Sequence, residues 1–200
     1  MSDARPHLRP ATPDDAAGVA AIYAPYVRET PISFEIEPPD AGEMRRRIAR
    51  SQAAHAWLVC AAGDALLGYA YTSAHSERAA YRWGVDVAVY VRDDARRRGV
   101  GCALYAALLR LATAQGYVVA YAGITLPNAA SVGLHESLGF TPVGLYPAVG
   151  YKLGAWHDVG WWRLALRPAS EAPVAPKGPD ELSLAEWRVA LASGARLVRV

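Results

Sequence analysis

The feature that most limits what this chain can become is a run of six residues, Arg96-Arg97-Arg98-Gly99-Val100-Gly101. An apolar segment, Val85-Asp86-Val87-Ala88-Val89-Tyr90-Val91, precedes it and reads as a strand. Cys102 through Ala112 follows it and reads as a helix. A helix start carries unpaired backbone N–H groups and the positive end of the helix dipole, so it attracts phosphate. Glycine lets backbone approach an anion with no Cβ in the way, and three arginines add charge beside it. Strand, basic glycine turn and helix in that order make a diphosphate cradle; taken alone, the same residues also suit a basic surface turn that caps a helix. Two nucleotide motifs are excluded. A P-loop needs Lys and then Ser or Thr after its last glycine, where Cys102-Ala103 stand, and a dinucleotide fingerprint needs a third glycine where Leu104 stands.

The flanking chain alternates helices with a strand meander. Leu8-Arg9-Pro10 is a short strand, and Thr12 caps a helix from about Pro13 to Val27 with apolar residues at helical spacing. Asp40 and Glu43 resemble a capping box before a basic helix whose arginines form a solvated face. Ala56 to Ala62, Leu66 to Tyr71, Arg82 to Val91 and Tyr117 to Ile124 read as strands. Asn128 caps a helix that stops at Gly139. Phe140 to Tyr146 and Val159 to Leu166 read as two last strands around a glycine-rich loop from 150 to 160. The pattern predicts an α/β (α+β) fold, a mixed and mostly antiparallel sheet with helices on both faces. The domain covers 1–167, a Pro-rich linker 168–182, and a short capped helix or tail 183–200. Whether that tail docks on the domain, docks on a second subunit or hangs free is open at this level.

Of the 200 residues 52% are apolar and 20% charged, with a formal net charge of +2, too small to indicate nucleic acid. Cys60 and Cys102 form no disulfide framework and show no metal-ligand spacing, so no metal is expected. The N-terminus lacks an apolar signal region and no run of about 18 apolar residues exists, so the expectation is a cytoplasmic protein with no membrane partner.

Further motifs narrow the reading. Arg96-x-x-Gly99-x-Gly101 resembles the acetyl-CoA motif of the GNAT acetyltransferases. Tyr81-Arg82-Trp83, Val89-Tyr90-Val91, Leu126-Pro127-Asn128, His135-Glu136 and Trp156-His157-Asp158-Val159-Gly160 together resemble the phosphinothricin N-acetyltransferase branch. The resemblance spans about residues 7–167. It implies direct acetyl transfer from acetyl-CoA to the α-amine of phosphinothricin, methionine sulfone or methionine sulfoximine, by a homodimer. It also implies the roles. Backbone groups of Val89, Tyr90 and Val91 hold the pantetheine arm, and Arg96, Arg97, Arg98, Gly99, Val100, Gly101 and Cys102 cover the diphosphate. Asn128 contacts the CoA arm, while His135 protonates the leaving thiolate. Asp86 falls where the branch has a glutamate as general base, one methylene shorter. Arg78 and Tyr81 match substrate contacts, and Ser76 replaces a branch lysine. Phe34, Tyr105 and Val159 are further pocket candidates. Without the resemblance, His135 reads as a helix-surface histidine, Asp86 as a solvent-facing strand charge, and Phe34 and Tyr105 as core. Peptide N-acetylation and a non-catalytic acyl-CoA-binding module are the rival functions, since both need the same cradle.

Overall fold

Among residues 5–199, which the computed structural model describes, seven strands form one sheet. They are β1 (His7–Pro10), β2 (Trp57–Ala62), β3 (Ala65–Ala74), β4 (Gly84–Val91), β5 (Val119–Leu126), β6 (Thr141–Lys152) and β7 (Ala155–Ala165). Their order is β1-β2-β3-β4-β5-β7-β6, antiparallel throughout except for β4 and β5. Parallel neighbours need a long crossover, and the basic glycine turn with α3 (Val100–Gln115) supplies it. The mixed sheet is the one the sequence pattern predicts.

Several strand boundaries differ from the sequence expectation, most of all at β3 and in the β6–β7 hairpin. β3 runs on to Ala74, because β4 offers it rungs as far as Ala74↔Val85. Residues 150–160 are not a loop: β6 and β7 continue into a tight hairpin at Leu153-Gly154, with Lys152 paired to Ala155. Glycine content suggested a loop there, but Tyr151, Trp156 and Val159 are good strand formers, and cross-strand pairing prevails.

The helices divide between the two faces. α1 (Ala16–Glu29) and α2 (Ala41–Ser51) cover one, with Val19, Val27, Met44 and Ile48 buried against Trp57, Val59 and Tyr69. α3 covers the other and is the best-buried helix: Leu104, Leu108 and Leu111 are all fully enclosed. Each such leucine contributes about 2 kcal/mol of burial. α4 (Ala129–Ser137) lies on the same face, its first turn capped by Asn128, whose Oδ1 accepts from the Ser131 N–H at 3.1 Å.

α5 (Leu184–Ala195), with Ser183 and Glu186 forming its capping box, packs on α3. A Cβ on Gly194 would collide with the Ala103 carbonyl. The Pro-rich stretch before it is tied down as well. The Trp83 indole donates to Val174 O at 2.9 Å, and Gln115 exchanges backbone and side-chain hydrogen bonds with Lys177.

Candidate active site

β4 and β5 are hydrogen-bonded only from Gly84–Asp86 to Val119–Tyr121. Beyond that rung they part. The gap is lined by Val87, Ala88, Val89 and Tyr90 on one strand and by Ala122, Gly123, Ile124 and Thr125 on the other, with Asn128, Ser131, His135 and Tyr105 along one side. The β3–β4 register is continuous, so no bulge interrupts β4 and its alternation holds throughout. Asp86, Ala88 and Tyr90 face α1, where Tyr90 packs edge-on against Tyr23 and Tyr26. Val85 and Val87 face α3. Backbone groups also alternate in direction, and those of Val91 point away from β3: the Tyr26 hydroxyl donates to Val91 O at 2.6 Å and accepts from its N–H at 3.4 Å. By parity Val89 turns its backbone groups the same way, into the gap. Val91 is therefore already engaged, and Val89 is the free rung.

At the end of β4 the turn folds into an anion cradle. Arg97 (φ 61°) and Gly99 (φ 80°) are both left-handed. Among the described residues, no N–H from Arg97 through Cys102 has an acceptor. Six unpaired donors at a helix start, with exposed guanidinium groups beside them, fit a diphosphate. A Cβ on Gly101 would meet Leu134 on α4 at 3.4 Å, an ordinary contact, so α4 lies close to this wall of the cleft. Behind the cradle runs the C-terminal segment. The Arg199 N–H donates to Arg98 O at 2.8 Å, and a Cβ on Gly99 would strike the Leu197 carbonyl. In a trans peptide N–H and C=O point opposite ways, so a segment held at Arg98 O leaves the Gly99 N–H free on the other side.

His135 is buried, at 3% exposure, and not on a helix surface. Its Nδ1 lies 2.7 Å from Ser131 O, an atom that only accepts, so Nδ1 carries the proton. Nε2 then accepts from the Tyr105 hydroxyl at 3.1 Å. Burial pushes the imidazole below its ordinary pKa, partly offset by the Ser131 bond. Tyr105 itself is enclosed in the α3 core, and burial raises its phenol well above the usual value.

On the opposite face Asp86 is paired. Its Oδ1 lies 2.7 Å from His75 Nδ1. Burial raises the Asp86 carboxyl above its ordinary pKa, and the His75 bond pulls it part of the way back. The His75 ring stacks on Tyr121 at 4.4 Å and meets Tyr81 and Trp161 edge-on at 6.0 and 5.9 Å. Sequence reasoning missed both His75 and Trp161. The signal for His75 was strand parity: Ser73 is the rung opposite Asp86, and His75 is two residues further on the same face.

The matched family is an acetyltransferase (GNAT) domain, over residues 8–161. The chain belongs to the GNAT acetyltransferases. It is 41% identical over 170 residues to a phosphinothricin N-acetyltransferase of Streptomyces viridochromogenes, covering 84% of this chain and 93% of the relative. It is 39% identical to an L-methionine sulfoximine/L-methionine sulfone acetyltransferase of Pseudomonas paraeruginosa, covering 83% and 98%. A solved phosphinothricin acetyltransferase from Sinorhizobium meliloti, in complex with acetyl-CoA, superposes with a TM-score of 0.81 at 32% identity, covering 88% and 97%. This GNAT protein is thus an acetyl-CoA-dependent acyltransferase, and its cradle suits that cosubstrate.

The remaining candidates of this GNAT domain lie around the α1-side face. Arg78 is exposed, and among the described residues its guanidinium has no partner. Ser76 Oγ accepts from the Arg78 N–H at 3.4 Å. Tyr81 is half exposed beside His75. Phe34 sits on the loop after α1, its ring 6.4 Å from His157. Val159 pairs with Thr125 and Tyr146, next to the cleft. Two other cations are committed elsewhere: Lys152 is buried and donates to Ser33 O, while Arg82 donates to Ala79 O and lies over the Trp83 ring.

Proposed function

We propose that this GNAT enzyme acetylates the α-amine of a small amino-acid-like substrate of the phosphinothricin, methionine sulfone or methionine sulfoximine type. The observation that carries this reading is the near full-length match to relatives named for those substrates, at about 40% identity. The cleft supports it, with anion donors and a proton-donating group on one face of the sheet and a half-buried carboxylate on the other.

Residues 97–102 hold the diphosphate through their unpaired N–H groups, and Asn128 holds the pantetheine arm with the amide nitrogen its capping bond leaves unused. Acetyl-CoA, when bound, supplies an activated thioester carbonyl. The Val89 N–H polarises that carbonyl, a donor fixed before the reaction begins. Arg78 and Tyr81 orient the substrate, Asp86 is the carboxylate of the proton-accepting site, and proximity across the gap contributes much of the rate. His135 and Tyr105 form the pair that returns a proton to the departing sulfur. His135 is neutral at rest, so it must take up a proton at Nε2, at the expense of the Tyr105 bond, before it can donate.

The test is release of free CoA from acetyl-CoA over a panel of amino acids, simple amines and peptides. The expected result is turnover concentrated on methionine sulfone, methionine sulfoximine and phosphinothricin. Activity confined to peptides, or binding of acetyl-CoA without turnover on any acceptor, contradicts this reading.

A further inference from the structure

The carboxylate of the proposed proton-accepting site is short and already occupied. Asp86 Oδ1 is engaged by His75 Nδ1 at 2.7 Å, and the two side chains are about equally enclosed, at 31% and 26% exposure. The imidazole is fixed in orientation. Tyr121 lies beneath it, Tyr81 and Trp161 stand at its edges, and Tyr121 is itself the rung paired to Asp86 at the last hydrogen bond before the strands part. With Nδ1–H given to Asp86, the lone pair is on Nε2, which has no partner among the described residues. Beside the ring, the buried Trp161 Nε1 is also without a partner.

We propose that His75 Nε2 takes the amine proton and that Asp86 acts through it, holding the tautomer and stabilising the imidazolium that forms. This rests on the acetyltransferase reading above and names the atom that reading leaves open. A carboxylate–imidazole pair suits the task better than a lone aspartate. An α-ammonium is a weak acid, and an imidazole, being more basic than a carboxylate, accepts its proton with less penalty. Asp86 falls one methylene short of a glutamate, and an imidazole bonded to it extends the reach. The step balances. One ammonium proton passes to Nε2, the freed nitrogen pair forms the N–C bond, the C–S bond breaks with its electrons on sulfur, and a proton restores the thiol. His75 passes that first proton on to solvent, and the second, lost from nitrogen once the N–C bond has formed, balances the one taken up by sulfur, so one net proton is released.

The titratable groups on the face of the pair are the phenols of Tyr121 from β5, Tyr81 from the turn before β4 and Tyr71 from β3, with Arg163 of β7 opposite Tyr121. Burial raises Tyr71 to about 12, so it carries no charge near neutrality. The Glu35–Arg47 ion pair acts on the same Tyr71, and Glu77 and Arg78 follow His75 on its own loop.

The experiment compares wild type, His75→Asn and His75→Phe by kcat/KM for methionine sulfone against pH. Asn retains a donor to Asp86 but no basic lone pair; Phe retains the stacking on Tyr121. Both should lose about a hundredfold or more in kcat/KM. Any acid limb that wild-type kcat/KM shows should be altered in both variants, with acetyl-CoA affinity unchanged by calorimetry. Nitrogen-detected NMR of the free protein should show His75 protonated at Nδ1 in wild type, with that preference lost in Asp86→Asn. If His75→Asn keeps wild-type kcat/KM and its pH profile, His75 only orients Asp86 and the proposal is overturned. A wild type that releases no CoA on any acceptor overturns the acetyltransferase reading, and this inference with it.

Discussion

On the proposed function, Ser76 and its neighbours set which end groups the site can hold. A substrate with two anionic ends needs two sets of donors, because an enclosed anion without a partner is expensive. Arg78 offers a free planar fork. Ser76 offers only a hydroxyl, and the two cations that could replace the missing lysine, Lys152 and Arg82, are bonded to Ser33 O and Ala79 O. Neutral-ended methionine sulfone should therefore be preferred to phosphinothricin. Ser76→Lys should move the kcat/KM ratio toward phosphinothricin by about tenfold or more, the scale of one charge-assisted contact, and Arg78→Ala should weaken both substrates. A wild-type preference for phosphinothricin that the lysine leaves unmoved contradicts this account of position 76. A second residue-scale prediction concerns pH. Burial lowers the pKa of His135 and of His55, so the folded protein resists protonating them. The unfolded chain binds those protons first, and stability therefore falls as pH drops through about 6.5, by about 1.4 kcal/mol for each unit of depression once both forms are protonated. Asp15 and Glu35, whose carboxyls are held below their usual values, add their own loss only at lower pH, below the unfolded carboxylate range. Thermal melts at pH 7.5 and 5.5 should show a lower Tm at 5.5, with a smaller drop in His135→Asn; a flat or opposite trend counts against buried neutral histidines. Residue roles were only partly legible in the sequence. The glycines and arginines of the cradle stand in one contiguous stretch, whereas the His75–Asp86 bond joins a β4 residue to one just past the end of β3, and only the register of the two strands reveals it.

At the scale of elements, the cradle depends on a part of the chain almost a hundred residues away. α5 delivers Leu197 and Arg199 to the rear of the turn, where Arg199 N–H holds Arg98 O and Leu197 O leaves room for no side chain at Gly99. A turn with left-handed residues at both 97 and 99 is a conformation the chain adopts reluctantly unless its surroundings fix it. Deleting residues 196–200 should therefore weaken acetyl-CoA binding several-fold by calorimetry, raise its KM, and leave kcat within about twofold, since the reacting groups are untouched. Gly99→Ala should act in the same direction and also lower Tm, because it adds backbone strain of about 1–2 kcal/mol to the collision with Leu197. Undiminished affinity in the truncated protein would show that the cradle holds its shape unaided. The capping box at Ser183 and Glu186 made α5 legible in the sequence, because a cap is local chemistry. Where α5 docks was not legible, since Gly194 against Ala103 and Ser193 Oγ on Ala106 O are contacts between distant segments. The β6–β7 hairpin was misread for the same reason: strand length depends on a partner that local composition does not show.

The whole molecule leaves one long edge uncovered. β6 closes the sheet at the end opposite β1, and its side chains are exposed along nearly its full length. Val143, Leu145, Tyr146, Val149 and Tyr151 are each between 50% and 58% exposed, and Trp156 across the hairpin is 65% exposed. An edge strand of that length with apolar side chains pairs with other chains unless charge, a bulge or a partner blocks it. The register shift between Tyr146 and Gly150 interrupts the edge, but no lysine or arginine stands on it before Lys152, which is turned inward and buried. A second copy of the chain would cover this surface, and Tyr146 pairs with Val159, which in turn pairs with the cleft residue Thr125. A partner seated there lies beside the substrate face, so assembly and acceptor binding should be linked. Light scattering should therefore give twice the 21.4 kDa chain mass. Tyr146→Asp combined with Val149→Asp should shift the protein to monomer and lower its Tm, since loss of the partner removes its mass-action stabilisation. The same variant should show a raised acceptor KM with acetyl-CoA affinity unchanged, because the diphosphate cradle lies on α3, far along the sheet from β6. A wild type that stays monomeric at high concentration, or a monomeric variant with an unaltered acceptor KM, would sever the link between this edge and the site.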